Sequence, residues 1–286
     1  MSDTMPLTSS STPPTAPLPG TGTRSPGPLP ATAPEPARAR SGIVVRNLSK
    51  TYRRGQVRLE ALRDVTLTIG GGSQVAVMGP SGSGKTTLLQ CLAGVVHPTS
   101  GSVLVEGTEI VGMDERQLSA VRLRRFGFVF QDGQLLPELS AQENVALPLL
   151  LSGSPRRAAL ERAEAVCAAL GLAPDLRARP GQLSGGQAQR VAIARAVVAT
   201  PQVVFADEPT GALDQATGRE VMEVLTSTCR ASGATLVLVT HDPGVAAWCG
   251  RTLVVRDGLV HEGAPALVGG VVPGAALPAA DAGATR

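Results

Sequence analysis

The stretch GPSGSGKTT, Gly79 to Thr87, restricts what this chain can fold into more than any other. It fits the spacing G-x-x-x-x-G-K-[ST], with the apolar run VAVM before it and the periodic apolar run TTLLQCLAG within and after it. A strand must therefore enter a glycine turn, and the turn must open a helix. Gly79, Gly82 and Gly84 permit a tight turn whose backbone N–H groups converge on phosphate oxygens. The amino terminus of the following helix adds favourable partial charge. Pro80, Ser81 and Ser83 fill the remaining loop positions. Lys85 is placed to reach β and γ phosphates, the Thr86 hydroxyl is a magnesium ligand, and Thr87 closes the stretch. The competing reading is a bare glycine turn ahead of a helix.

Further strands are read at IVVRNLSKTY, LRDVTLTI, VLVEG, FGFVFQ, QVVFAD, ATLVLVT and TLVVRDG, with helical stretches among the later ones. That order predicts an α/β core with substantial parallel character. The helix beginning at Lys85 is expected to end at Gly94. Between Gln131 and Ser184 the alanines and leucines carry helical periodicity and no strand pattern, so residues 132–183 are read as a helical insertion. Within it Ser154 is expected to cap a helix whose first turn holds Pro155.

QVVFADEPT delivers Asp207 and Glu208 at the end of a buried strand. Asp207 suits magnesium, most simply through a coordinated water. Glu208 would then face the γ phosphate and orient or deprotonate water; alone, it reads equally as a solvated loop carboxylate. LSGGQ, Leu183 to Gln187, opens a second helix. Ser184 and Gln187 have the spacing of a capping box, and Gly185 and Gly186 leave its first N–H groups uncovered, as at an anion site. A cap serving stability alone is the plainer account.

Together the phosphate loop, LSGGQ and the aspartate–glutamate pair resemble the nucleotide-binding subunits of ATP-binding cassette transporters. The likeness is greatest to those of lipoprotein-release, macrolide-export and cell-division permease complexes. It implies an α/β P-loop NTPase core with an antiparallel β subdomain and an inserted helical subdomain, spanning 43–263. It also implies a Mg-dependent ATPase that closes head-to-tail with a second copy around two ATP. Each nucleotide would lie between the Lys85 loop of one subunit and Ser184, Gly185, Gly186 and Gln187 of the other.

The resemblance assigns further residues. Gln131 would sense magnesium and attacking water, and His241 would position Glu208 or touch the γ phosphate. Asp214, in GALD, would cross the dimer axis, a role compatible with capping the next helix. Tyr52 would stack on adenine, with Val57 as an apolar edge. Leu135, Leu136 and Pro137 with Val145 to Leu151 are candidates for a groove that docks a membrane permease, about half of them ordinary core. The chain departs from the pattern of its nearest subfamily at Ala212, usually asparagine, and at Ser73, usually glutamate.

Composition bounds the rest. Lys and Arg number 26 against 23 Asp and Glu, a net charge of +3, too small to imply a nucleic-acid footprint. The pairs Arg124–Arg125 and Arg156–Arg157 read as solvated faces, the first with an option on anionic lipid. Cys91, Cys167, Cys229 and Cys249 have no metal or redox spacing and read as packing residues. Residues 1–42 and 264–286, rich in Pro, Gly, Ala, Ser and Thr, are read as disordered or flexible tails. The amino end has no secretory pattern and no run is apolar enough to span a membrane. The expected place is thus the cytoplasmic face of a membrane, held through the permease. Its role would be to drive export or lipoprotein or lipid extraction, or to regulate a cell-envelope protein without translocation.

Overall fold

Two sheets meet around the glycine loop in the computed structural model, which describes residues 41–263 apart from Gln56. The two tails read from composition lie outside the described residues, except for Ser41 and Gly42. Their backbone N–H groups donate to the Glu106 carboxylate at 3.0 and 3.2 Å.

The chain begins with a long hairpin of β1 (Ile43–Arg54) and β2 (Val57–Ile69), and then β3 (Gln74–Met78) runs into α1 (Lys85–Leu92). β4 (Ser100–Val105) and β5 (Thr108–Glu109) return beside the hairpin, and α2 (Glu115–Arg125) leads into β6 (Phe126–Phe130). Three helices follow: α3 (Ala141–Leu151), α4 (Arg156–Ala169) and α5 (Gly185–Val197). The remaining order is β7 (Val203–Asp207), α6 (Gln215–Ser232), β8 (Thr235–Val239), α7 (Pro243–Ala246), β9 (Arg251–Arg256) and β10 (Leu259–Glu262). One sheet is antiparallel in the order β2-β1-β4-β5; the other runs β10-β9-β3-β8-β7-β6. All neighbours in the second sheet are parallel except β10 against β9. A parallel layer beside an antiparallel sheet, with α3, α4 and α5 inserted between β6 and β7, is the arrangement that the resemblance implies.

The sequence reasons for the parallel layer are visible in β7 and β8. TLVLV is buried along its whole length, as a strand covered on both faces must be. Leu236 and Leu238 join the hydrophobic cluster that includes α5 and α6, while Val237 and Val239 join the cluster shared with α1 and the antiparallel sheet. In β7, Val204 and Ala206 face the first cluster, and Val203 and Phe205 the second. All four phenylalanines of the chain gather here. Phe205 meets Phe126 edge-on at 5.2 Å and Phe128 stacked at 5.7 Å, and Phe128 stacks on Phe130 at 5.9 Å.

Some local expectations change. α4 starts at Arg156, with Pro155 rather than Ser154 at its cap and no side-chain capping bond. The Ser154 N–H instead donates to the Leu149 carbonyl at 3.0 Å, closing the end of α3. α2 was not anticipated, although its start is a complete capping box in which Asp114 and Gln117 bond reciprocally. α1 ends at Leu92, and Gly94 takes the left-handed φ of 62° expected just beyond a helix end. Of the arginine pairs, Arg156 and Arg157 bond Glu143 and Glu161 at 3.1 and 2.8 Å, and Arg125 donates to Thr108 Oγ1 at 2.9 Å. The four cysteines are free and buried, as packing residues are.

Phe205 is 1 % exposed and packs on two rings of the neighbouring strand, Phe126 and Phe128. Phe205→Ala should therefore lower stability by about 3–5 kcal/mol, read as a fall in the urea midpoint without loss of a single cooperative transition. A change under about 1 kcal/mol would show that the ring cluster is not integral to the core.

Candidate functional site

The parallel sheet brings the carboxyl ends of four strands to one edge. β3 ends at Met78 just before the glycine loop, β6 ends one residue before Gln131, β7 delivers Asp207 and Glu208, and β8 ends two residues before His241. Open α/β sheets bind ligands at such an edge. A cleft of about 510 Å³ lies there, lined by residues 81–87, Asp207, Glu208, Val239, Tyr52 and Leu59, with Asp257 and Gly258 on its rim.

The loop is fixed by its neighbours. The Gly258 N–H donates to the Ser83 carbonyl at 3.1 Å, and the Gly258 carbonyl accepts from Arg63 N–H at 2.9 Å. Gly84 takes a φ of 110°, and a Cβ there would lie 2.3 Å from the Ala61 carbonyl oxygen. Only glycine meets both conditions. Gly84 also caps α1 without any side-chain hydrogen bond, and the first turn holds no acid. The helix therefore offers its leading N–H groups and positive end to an anion. The Ser83 hydroxyl is buried and has no hydrogen-bond partner among the described residues. Such an orphan fits a loop shaped for phosphate oxygens. Lys85 Nζ rests on the Gly79 and Pro80 carbonyls at 2.9 and 3.0 Å, folded over the loop it would leave to meet a phosphate.

Beside the loop, burial pushes the Asp207 carboxyl above its ordinary range; the adjacent Glu208 charge acts in the same direction, while a Thr86 hydrogen bond and the Lys85 charge oppose. A half-buried carboxylate joined to a threonine hydroxyl is a hard-oxygen pair, and a magnesium ion would relieve its burial. The residues therefore fit the metal. Glu208 sits at φ 48°, a left-handed conformation that costs a non-glycine residue of order 1–3 kcal/mol. Its N–H donates to the Val239 carbonyl at 2.9 Å and its carbonyl accepts from Gly211 N–H at 3.0 Å, and these bonds hold the turn. His241 Nδ1 lies 2.9 Å from Glu208 Oε1, on a side chain that is otherwise largely exposed.

Other residues fall elsewhere. The Gln131 side chain lies against Gly211, where a Cβ would meet its Nε2 at 3.1 Å, rather than on the cleft wall. Asp214 caps α6, accepting from Ala216 and Thr217 N–H at 3.0 and 3.1 Å; a hydrogen bond from the Thr217 side chain, helped by these backbone bonds, holds its carboxyl below the usual range. Tyr52 lies on the cleft with Lys50 Nζ 5.0 Å from its ring centroid. Its apolar neighbour on the wall is its cross-strand partner Leu59; Val57 pairs with Arg54 nearer the hairpin tip, 68 % exposed and off the wall. Sequence reading missed Leu59 and Gly258. Counting back from the hairpin turn could have paired Leu59 with Tyr52; the Asp257–Gly258 pair marks the β9–β10 turn, but nothing local marks the contact of Gly258 with the phosphate loop.

Ser184, Gly185, Gly186 and Gln187 open α5, and none of them lines this cleft. The capping box forms: Ser184 Oγ accepts from Gln187 N–H at 3.2 Å, and Gln187 Oε1 accepts from Ser184 N–H at 2.8 Å. Gln187 also donates to Asp175 at 3.0 Å. The glycines have a packing reason that spacing did not reveal. A Cβ on Gly186 would lie 2.5 Å from Thr217 Cγ2, and one on Gly185 would lie 3.0 Å from Leu213 Cδ2.

Residues 62–211 match the family described as ABC transporter. The lipoprotein-releasing system ATP-binding protein LolD of Syntrophus aciditrophicus (strain SB) is 46% identical over 216 residues, covering 76% of this chain and 97% of that protein. The macrolide export ATP-binding/permease protein MacB of Rhodopseudomonas palustris (strain BisB18) is 47% identical over 222 residues, 78% of this chain but 34% of that longer protein. Among solved structures, the ATP-binding cassette MJ0796, described as a dimer in a post-hydrolysis state bound to ADP and Pi, superposes with a TM-score of 0.71 at 39% identity. That match covers 77% of this chain and 97% of the other.

If the Gly186 contact is what the signature glycine answers to, Gly186→Ala should cost about 1–3 kcal/mol, and Thr217→Ala in the same chain should recover most of it. Urea unfolding of the two single variants and the double variant decides this. Additive losses would remove the packing explanation.

Proposed function

The chain belongs to the ABC transporter family as an ATP-binding ATPase subunit, and on that premise we propose that two copies close head-to-tail around two ATP to drive a separately encoded membrane permease. The observation that carries this reading is the one-sidedness of the cleft. Lys85, Thr86, Asp207 and Glu208 line it, and no residue of the serine-led start of α5 does. A second copy would bring its Ser184 and Gly185 to the open side. The description of MJ0796 as a dimer with ADP and Pi supports that arrangement.

In the closed pair the α1 amino terminus and Lys85 bind the β and γ phosphates, while Thr86 and Asp207 hold magnesium. A magnesium ion held there would supply charge neutralisation for the phosphate oxygens. Glu208 orients a water for in-line attack. The new bond forms from the water oxygen to the γ phosphorus, the bridging bond to the β phosphate breaks, and the water proton passes to Glu208 or solvent. His241 holds the Glu208 carboxylate in place, and Gln131 and Asp214 link the site to its surroundings. Tyr52 and Leu59 take the adenine face. Separate products no longer bridge the copies, so the pair reopens.

The permease is the second part of the proposal. No helix among the described residues is long and apolar enough to cross a membrane, and the relatives carry lipoprotein-release and export names. We place the subunit peripherally at the cytoplasmic face, powering export or lipoprotein or lipid extraction. Its docking groove lies between α3 and β6. Val145 and Ala146 are core, whereas Leu147, Pro148 and Leu151 line the groove and Leu136 is exposed beside it.

Glu208→Gln should lower ATP turnover by about 10²–10⁴-fold, measured by phosphate release, and should convert the protein to an ATP-dependent dimer by light scattering. Unchanged turnover defeats the role given to Glu208. A monomer at saturating ATP defeats the closure.

A further inference from the structure

We infer that the permease segment seated between α3 and β6 carries a carboxylate that pairs with Arg195 from within an otherwise apolar face. This rests on the permease reading above and adds the chemistry of the segment.

The groove encloses about 620 Å³ and lies along β6, the edge strand of its sheet. Its walls are apolar: the stacked rings of Phe128 and Phe130 on one side, Leu147 and Leu151 on the other. Leu151 is 66% exposed and adds to the apolar surface of the groove. Two cationic side chains also line the groove, and no acidic one does. Arg122 is spent on the Glu115 carboxylate and on the Gly94 carbonyl.

Arg195 has no such partner. Its two terminal nitrogens donate to the Gln134 and Gly133 carbonyls, both at 2.7 Å, and it forms no ion pair with a carboxylate among the described residues. Two of the five guanidinium N–H groups are thus used on neutral acceptors. Burial already works against its charge. A docked helix would strip the remaining water, and an entirely apolar one would leave a desolvated cation against hydrocarbon. A carboxylate meets the unspent donors in the planar geometry that guanidinium favours. The fitting partner is therefore an amphipathic helix with apolar anchors for the phenylalanine wall and an Asp or Glu within one turn of them. The groove excludes a basic segment, because Arg195 would repel it.

The test uses the full chain with a photo-crosslinking residue in place of Leu151, assembled with the permease that co-purifies with it. Mass spectrometry then identifies the captured peptide. The expected peptide comes from the permease and holds Asp or Glu within about four residues of the crosslink, one helical turn. Replacing that carboxylate by its amide in the permease should cut permease-stimulated ATP hydrolysis by about tenfold or more. On this chain Arg195→Gln should do the same and Arg195→Lys should retain most of the stimulation. The permease variant keeps the test decisive if Arg195→Gln fails to fold. A captured permease peptide without a carboxylate in reach, or full stimulation by the amide variant, overturns the pairing and leaves permease docking intact. Capture of a second copy alone, or of no permease peptide, overturns the docking reading with it.

Discussion

An uncapped helix start is the constraint on which the rest of the structure depends. α1 begins at Gly84 with no side chain on its leading N–H groups, so its positive end stays available only if the loop before it is held open. A flexible glycine loop would lose that shape to chain entropy. Here the Ala61 carbonyl presses on Gly84, and Gly258 bonds the loop at Ser83 and the hairpin at Arg63. The antiparallel hairpin and the β9–β10 turn thus act as the mould of the phosphate loop. The central position of β3, between β8 and β9, carries that mould into the middle of the sheet.

The same edge must hold two adjacent carboxylates, an arrangement that opposes itself. Asp207 is half-buried and resists ionisation, and Glu208 beside it adds to that resistance. Strand geometry sends alternate side chains to opposite faces, and a continued strand would point Glu208 away from the loop. The left-handed turn at Glu208 breaks this alternation, so both carboxylates lie on one cleft. Bonds from Glu208 to Val239 and Gly211 offset the backbone strain. Local strain and charge repulsion of this kind persist where a site needs them and the scaffold overdetermines them.

Much of this was legible in residue order. TLVLV and VVFAD read as strands because every position is apolar or nearly so, and the glycine loop dictated a strand before it and a helix after it. The helix α2 escaped because its mostly charged sequence, ERQLSAVRLRR, hides the apolar period; the signal lay in the Asp114–Gln117 box. Ser154 failed as a cap because a Pro-led start can set its own φ, and the Ser154 N–H was needed at the end of α3. At the site, the resemblance set Val57 beside Tyr52, and the sheet register adds Leu59 directly across from it. Gly186 was read as leaving N–H groups bare. Its contact with Thr217 links residues thirty-one positions apart by the sequence numbers, and such tertiary contacts leave no local mark.

The geometry also bears on how a groove at the sheet edge can act on a cleft at the strand ends. β6 lines the groove with Phe128 and Phe130 and ends beside Gln131, whose side chain packs on Gly211 in the turn that follows Glu208. The Phe130 carbonyl accepts from Gln189 at 2.9 Å, and the Gly133 and Gln134 carbonyls accept from Arg195. Residues 130–134 are thus tied by three hydrogen bonds to one face of α5, the helix that Ser184 opens. A load on that segment has two rigid outlets, along α5 toward the signature serine and across Gln131 toward the Glu208 turn. Because packed elements shift between discrete arrangements rather than stretching, pressure in the groove would move both outlets together. In the proposed head-to-tail pair these outlets would serve different nucleotides, since Ser184 would face the neighbour's ATP and Glu208 its own. A single docking event would then set both sites at once.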